Sequence, residues 1–286
     1  MIYHPERTLA INNRIGEPLH TTITLPPRAR TGSPILLILH GFKGFRNYSF
    51  LPWIAQYASA RGMISIRFCF SRNGMNGTSW SVQDVDAFAR NTISHEVDDV
   101  HDLIRSIGED EEHSELRDQW NGQVFVIGHS RGGGVAQIVS REVRDHGNIH
   151  LIRTAVLNSV GTFVRWTPRQ RAQWAEQGFF TFLNERTKQE LRMNMSYVED
   201  IEKSADRLSL DRASAMLGDT LAYIHAEQDL TVPLAEIVRL RESAETDAPL
   251  FVVPNTTHTF GMSHPVDRIS LGFVEALNKT FTWLIQ

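Results

Sequence analysis

Short apolar runs bounded by Gly, Pro and polar residues recur along the chain at Ile35–Leu39, Ile64–Phe68, Val124–Ile127, Thr154–Asn158, Leu221–His225 and Leu250–Val253. Runs this short suit buried parallel strands better than helices. Longer amphipathic stretches alternate with them at Phe50–Arg61, Ala87–Ile107, Arg131–Asp145, Leu234–Ala244 and Ser270–Leu284, and each predicts a helix. Such alternation implies a parallel sheet covered by helices on both faces. Ahead of it, Thr8–Asn12 and Leu19–Leu25 flank a Gly-containing turn and predict an antiparallel pair at the sheet's leading edge. The alternation is broken by Gly161–Leu217, a long helix-prone segment containing Arg and Met, which is expected to lie above the sheet as an insertion.

A chain of 286 residues is long enough for one α/β domain spanning 1–286, with 161–217 as a cap inserted within it. Hydrophobic residues make up 41% and charged residues 22%, and no apolar run reaches membrane-spanning length, so no membrane partner is expected. The opening residues lack an apolar signal core, which points to a cytoplasmic protein. A net charge of −4 with scattered Arg residues offers no basic face for nucleic acid. The single cysteine, Cys69, ends an apolar run and reads as a buried thiol. Oligomeric state is left open by these features.

The strongest chemical signal is Val124-Phe-Val-Ile-Gly128-His129-Ser130-Arg131-Gly132-Gly133-Gly134, a G-x-S-x-G motif between a strand and a helix. A serine at such a turn takes a strained backbone, and small flanking residues let neighbouring chain pass. Its hydroxyl then projects freely as a nucleophile, and the Arg131 amide at the helix N-terminus is aimed where an oxyanion forms. Leu39-His40-Gly41-Phe42 after the third strand supplies the expected second donor, the Phe42 amide. His40 itself reads as a structural histidine bonding that loop.

Nucleophile, acid and base follow one another in the order Ser, Asp, His. Asp229, in Glu227-Gln-Asp229-Leu-Thr-Val-Pro233, sits just past a strand and ahead of a helix, where it can orient an imidazole. His258 lies in the loop after the last strand and is the expected base; His264, six positions on and next to Pro265, is its rival. His146 and His150 have helical spacing without a third ligand, and no G-x-G-x-x-G or P-loop occurs, so neither metal nor cofactor is expected.

With Gly-His-Ser-Arg-Gly-Gly, His-Gly-Phe, Gln-Asp-Leu-Thr-Val-Pro and His-Thr-Phe in that order, the chain resembles the α/β-hydrolase superfamily over nearly its whole length. Within it, the sequence is similar to small intracellular esterases of the cinnamoyl and feruloyl type and to dienelactone-hydrolase-like proteins. The resemblance implies an α/β-hydrolase fold with a mostly parallel eight-stranded sheet, a helical cap after the sixth strand, and cofactor-free hydrolysis of a small-molecule ester. Dienelactone hydrolases use a cysteine nucleophile, so Ser130 favours the esterase branch. Relatives often carry Arg-Phe-Asp-Phe and Gly-x-Ser-x-Gly after the fourth strand, where this chain has Arg67-Phe-Cys69-Phe70 and Ser71-Arg-Asn-Gly74-Met-Asn-Gly77, so substrate preference does not carry over. A small peptidase or acyl-thioesterase with the same triad is an alternative, as is a ligand-binding protein with a silent hydrolase site. Phe45, Phe163, Trp166, Trp174, Phe179 and Phe180 are the candidate pocket residues.

Overall fold

The computed structural model describes residues 4–27, 32–75, 81–144 and 149–286. Asn76 and Gly77, and also Asp145 and His146 at the expected end of a helix, lie outside the described residues. In chain order the elements are β1 (Glu6–Asn12), β2 (Pro18–Thr24), β3 (Ser33–Leu39), α1 (Leu51–Ser59), β4 (Ile64–Phe68), α2 (Val85–Arg90), α3 (Ile93–Glu109), α4 (Ser114–Arg117), β5 (Trp120–His129) and α5 (Arg131–Arg144). They continue with β6 (His150–Leu157), α6 (Pro168–Gln177), β7 (Phe179–Asn184), β8 (Gln189–Asn194), α7 (Ser196–Lys203), α8 (Leu210–Leu217), β9 (Leu221–Ala226), α9 (Leu234–Ser243), β10 (Leu250–Val253) and α10 (Leu271–Leu284).

Among the described residues, eight strands form one sheet in the order β1-β2-β4-β3-β5-β6-β9-β10. β2 runs antiparallel to β1 and β4, and the remaining pairs are parallel. Strand side chains alternate between faces, and an unbroken apolar run therefore buries both. In β3, Ile35, Leu37 and Leu39 join a core that includes Val97 of α3, Val135 of α5 and Ile237 of α9. Leu36 and Ile38 face the other way, into a core with Ile54 of α1 and Phe273 and Phe281 of α10. Cys69 is buried, and burial pushes its thiol up.

The helix expected over Ala87–Ile107 is two helices. Asn91 takes an extended backbone, its Nδ2 donates to Glu96 Oε1 at 2.7 Å, and the Thr92 side chain accepts the His95 amide as a new N-cap. A side chain that satisfies an orphan amide at that point starts a second helix in a new direction. Between β6 and β9 the expected helices α6, α7 and α8 are joined by a β7–β8 hairpin that the sequence reading did not expect. α6 begins with a Thr167–Gln170 capping box and Pro168 in its first turn, and it stops at Gly178, whose φ of 77° is open to glycine at little cost.

Glu142 of α5 ties this segment to the sheet's cover. It accepts from Arg207 Nε at 2.9 Å and lies 2.8 Å from His101 Nε2. Burial alone would raise the Glu142 carboxyl, but His101 and Arg207 outweigh it and pull the pKa down to about 2. A depressed carboxylate stabilises the fold above its unfolded pKa near 4.5 and loses that contribution as pH falls toward about 2. Glu142→Gln is therefore expected to lower stability at pH 7 by about 1 to 3 kcal/mol, with the difference from wild type shrinking below about pH 4.5 and vanishing only below about pH 2. Denaturant melts across that pH range check this.

No helix among the described residues is long and apolar enough to cross a membrane. Chain direction within the parallel strands brings the segments after β3, β5, β6, β9 and β10 to one edge of the sheet, which is where open α/β sheets bind ligands.

Candidate active site

Ser130 follows β5 directly and opens onto α5, with a φ of 56° in the left-handed region. For a residue with a Cβ that conformation costs roughly 1 to 2 kcal/mol. Neighbouring backbone enforces it: Ser130 N–H donates to Leu157 O at 3.0 Å, and Ser130 O accepts the Gly133 and Val160 amides at 2.9 and 3.3 Å. The flanking glycines are required by space. A Cβ on Gly128 would lie 2.3 Å from Gly132 O, and one on Gly132 would lie 2.3 Å from His40 O.

The structure brings Ser130 together with both distant residues predicted to serve it. His258 Nε2 lies 3.0 Å from Ser130 Oγ, and His258 Nδ1 lies 2.7 Å from Asp229 Oδ2. The other carboxylate oxygen of Asp229 accepts the Thr231 and Val232 amides at 2.8 and 2.9 Å. Burial would raise the Asp229 carboxyl, but the bond from His258 and these two amides reverse that and hold it below the usual range. A carboxylate fixed in this way holds the proton on Nδ1 and leaves Nε2 free to accept from the serine.

The backbone of His258 is tethered as well. Its carbonyl accepts from Asn158 Nδ2 at 2.8 Å and lies 2.9 Å from His129 Nε2. Asn158 Oδ1 in turn accepts the Ala226 amide at 2.7 Å, so one side chain joins the ends of β6 and β9 to the histidine loop. His129 is buried, and burial first, then the neighbouring His258 charge, pushes it down to about 3, so it stays a neutral donor. Sequence reading passed over Asn158 and His129; the signal was a polar residue at the end of each buried strand.

The loop after β3 touches the serine. A Cβ on Gly41 would lie 2.9 Å from Ser130 Cβ, so only glycine lets this backbone pass so close to the serine. His40 has the structural role expected of it: its Nδ1 lies 2.9 Å from Gly41 O, and its Nε2 accepts the Phe70 amide at 3.3 Å. Burial pushes His40 down to about 4, which keeps it neutral. Arg131, the first residue of α5, presents its amide at a helix N-terminus, while its guanidinium pairs with buried Glu96 and lies 4.5 Å from the Phe42 ring centroid.

Ser130 stands between two cavities. One of about 300 Å³ is lined by Phe42, Val160, Phe163, Trp166, Trp174, Phe180, Phe182, Met193 and Tyr197, with Arg131 at its wall. The other, of about 360 Å³, is lined by Gly41, Lys43, Tyr48, Asn184, Glu185, Arg186 and His258. Four of the six expected pocket aromatics, Phe163, Trp166, Trp174 and Phe180, line the first cavity. Phe45 and Phe179 do not. Phe45 is 5% exposed and packs against Tyr48 and His264, and Phe179 is 37% exposed on the outward face of β7, beside Arg192. Phe182 and Met193, which sequence reading missed, occupy alternate inward positions of the unexpected hairpin.

His264 serves elsewhere, its Nδ1 accepting the Ser49 amide at 3.0 Å. Among the described residues, one group of candidate metal ligands, Asp110, Glu112 and His113, has its donor atoms within 4.8 Å of one another. It precedes β5, whereas Ser130 follows that strand, and Arg105 already bonds Asp110 at 3.2 Å.

The sequence profile of the Alpha/beta hydrolase family matches residues 36–270. Among curated protein sequences there is no match. Among solved structures, a putative hydrolase from Agrobacterium vitis superposes with a TM-score of 0.71 at 18% identity, covering 98% of this chain and 99% of that one. Est1E from Butyrivibrio proteoclasticus with ferulic acid bound gives 0.67 at 16% identity, covering 97% and 99%. A dienelactone hydrolase from Anabaena variabilis gives 0.58 at 14%, covering 99% and 98%. At these identities the structural likenesses speak for the fold alone, while the profile spans every strand from β4 to β10 and the three residues Ser130, Asp229 and His258. The chain belongs to the alpha/beta hydrolase family.

Proposed function

We propose that the chain is a serine-dependent carboxylic ester hydrolase that works through an acyl-enzyme. The observation that carries this reading is the unbroken series Asp229–His258–Ser130, at 2.7 and 3.0 Å, on a serine held at a φ of 56°. Ser130 Oγ attacks the ester carbonyl while His258 Nε2 takes its proton. The carbonyl oxygen becomes an oxyanion facing the Phe42 and Arg131 amides, donors of a kind that each stabilise the transition state by about 3 to 4 kcal/mol. Collapse breaks the bond to the alcohol oxygen, which leaves with the proton from His258. Water then repeats the sequence on the acyl-Ser130 ester and releases the acid.

The segment 161–217 acts in this reading as the cap, supplying apolar walls over Ser130. The aromatic cavity suits a planar or bulky apolar acyl group. Phe182→Ala and Trp174→Ala are each expected to change the kcat/KM ratio between bulky and small acyl esters by about 1 to 3 kcal/mol. Rates across a series of acyl sizes check this, and an unchanged ratio in both variants would remove the cap from specificity. A panel of aryl esters, alkyl esters, thioesters and aminoacyl amides tests the reaction class itself. Esters are expected to turn over fastest; faster thioester or amide turnover would reassign the class, and no turnover would favour a ligand-binding role.

A further inference from the structure

The two cavities flanking Ser130 differ in chemistry, and the leaving-group step decides which holds which half of the substrate. His258 must return its proton to the departing alcohol oxygen, so the alcohol has to lie on the side that His258 lines. That is the cavity of about 360 Å³ bounded by Lys43, Tyr48, Asn184, Arg186 and His258. His258 does not line the aromatic cavity, which is left for the acyl group.

The wall of the alcohol cavity is rich in hydrogen-bond donors drawn from separate parts of the chain. Lys43 comes from the loop after β3 and is held at a φ of 57°, a conformation that favours glycine. Its ammonium lies 5.5 and 5.6 Å from the Phe42 and Phe182 ring centroids and has no carboxylate partner within ion-pair distance among the described residues. Arg186 comes from the β7–β8 turn, lies over the Tyr48 ring at 4.9 Å, and donates to Lys43 O at 2.6 Å. Asn184, at the end of β7, is 2% exposed, and its Nδ2 is buried with no hydrogen-bond partner among the described residues. The one acidic side chain on this wall, Glu185, is engaged by Lys188 Nζ at 2.7 Å. Burial, and then the neighbouring Arg186 charge, lower the Lys43 pKa against a smaller opposing pull from Glu185, and an incoming anion would favour the charged ammonium further.

We infer that this cavity is built for an anionic leaving group, so that the preferred substrate is the ester of a hydroxy acid whose free carboxylate meets Lys43 and Arg186. This rests on the ester-hydrolase reading above. Attack, collapse and proton return are unchanged; the carboxylate stays ionised and only orients the alcohol oxygen toward His258.

The test uses two esters with the same acyl group, one of a hydroxy acid and one of the corresponding hydroxy amide, which match in size and differ in charge. Wild-type kcat/KM is expected to favour the carboxylate ester by about 10-fold at low ionic strength, with the ratio shrinking as salt is added. Lys43→Gln is expected to bring that ratio close to one. Asn184→Asp, which keeps the shape and sets a negative charge at this wall, is expected to bring it below one. Phosphonate labelling of Ser130 in all three proteins separates the two levels of inference. Labelled protein with a wild-type ratio of one or less, or with a ratio unchanged in both variants, overturns the anionic cavity and leaves the hydrolase standing. Failure of wild-type Ser130 to label overturns both.

Discussion

Ser130→Ala is expected to lower kcat by about 10⁶-fold, because the nucleophile and its base act as one unit and losing either forfeits nearly the whole of covalent catalysis. The fold is expected to survive. The hydroxyl is the one group removed, and the backbone bonds that hold residue 130, to Leu157, Gly133 and Val160, remain. Ser130→Gly provides the matching thermodynamic control, since glycine adopts a φ of 56° without a Cβ penalty and is expected to raise the melting temperature while remaining inactive. Steady-state rates and thermal melts of both variants decide the matter. An active Ser130→Ala protein would place the nucleophile elsewhere, and an unfolded one would make Ser130 a structural residue.

Asp229→Asn is expected to lower kcat by about 10⁴-fold with little change in fold, by analogy of mechanism with the serine-protease triad. The surroundings of Asp229 explain why the effect is large. Thr231 and Val232 amides both donate to Oδ1, so an asparagine keeps its carbonyl oxygen there and turns its NH₂ toward His258 Nδ1. Nδ1 then becomes the acceptor, the proton moves to Nε2, and the imidazole can no longer take the proton of Ser130. Nitrogen-detected NMR of the His258 tautomer, read beside kcat, checks the cause as well as the size. Retained activity, or a lost activity with the tautomer unchanged, would contradict this role for Asp229.

The residues that meet at the site were legible in sequence because each follows a recognisable strand, Ser130 directly after β5, Asp229 three residues past β9 and His258 five past β10, on the sheet's carboxyl edge. Gly128 and Gly132 added a steric signature, since two crossing backbones leave no room for a Cβ at either. The α2–α3 boundary was harder. Apolar periodicity runs through it, and the break depends on local bonds made by Asn91 and Thr92 that compete with helix continuation. Phe45 and Phe179 were misplaced for a related reason: composition says that an aromatic is near the site, whereas which face it takes depends on the strand and loop that carry it. In β7 the alternation Phe180, Phe182 against Phe179, Thr181 was present as a period of two, but the helix-prone segments around it hid the hairpin. The polar cavity could not be read at all, because Lys43 and Asn184 are far apart in sequence and meet only through that hairpin.

We propose that Ser130, activated by His258 and Asp229, attacks the substrate carbonyl. The most direct measurement is intact-mass analysis with peptide mapping after treatment with a fluorophosphonate, an electrophile that captures an activated serine hydroxyl. One adduct is expected, on Ser130, formed rapidly in the wild type, strongly slowed in His258→Ala and absent in Ser130→Ala. An unmodified wild-type protein, or activity lost through an adduct on any other residue, would contradict it.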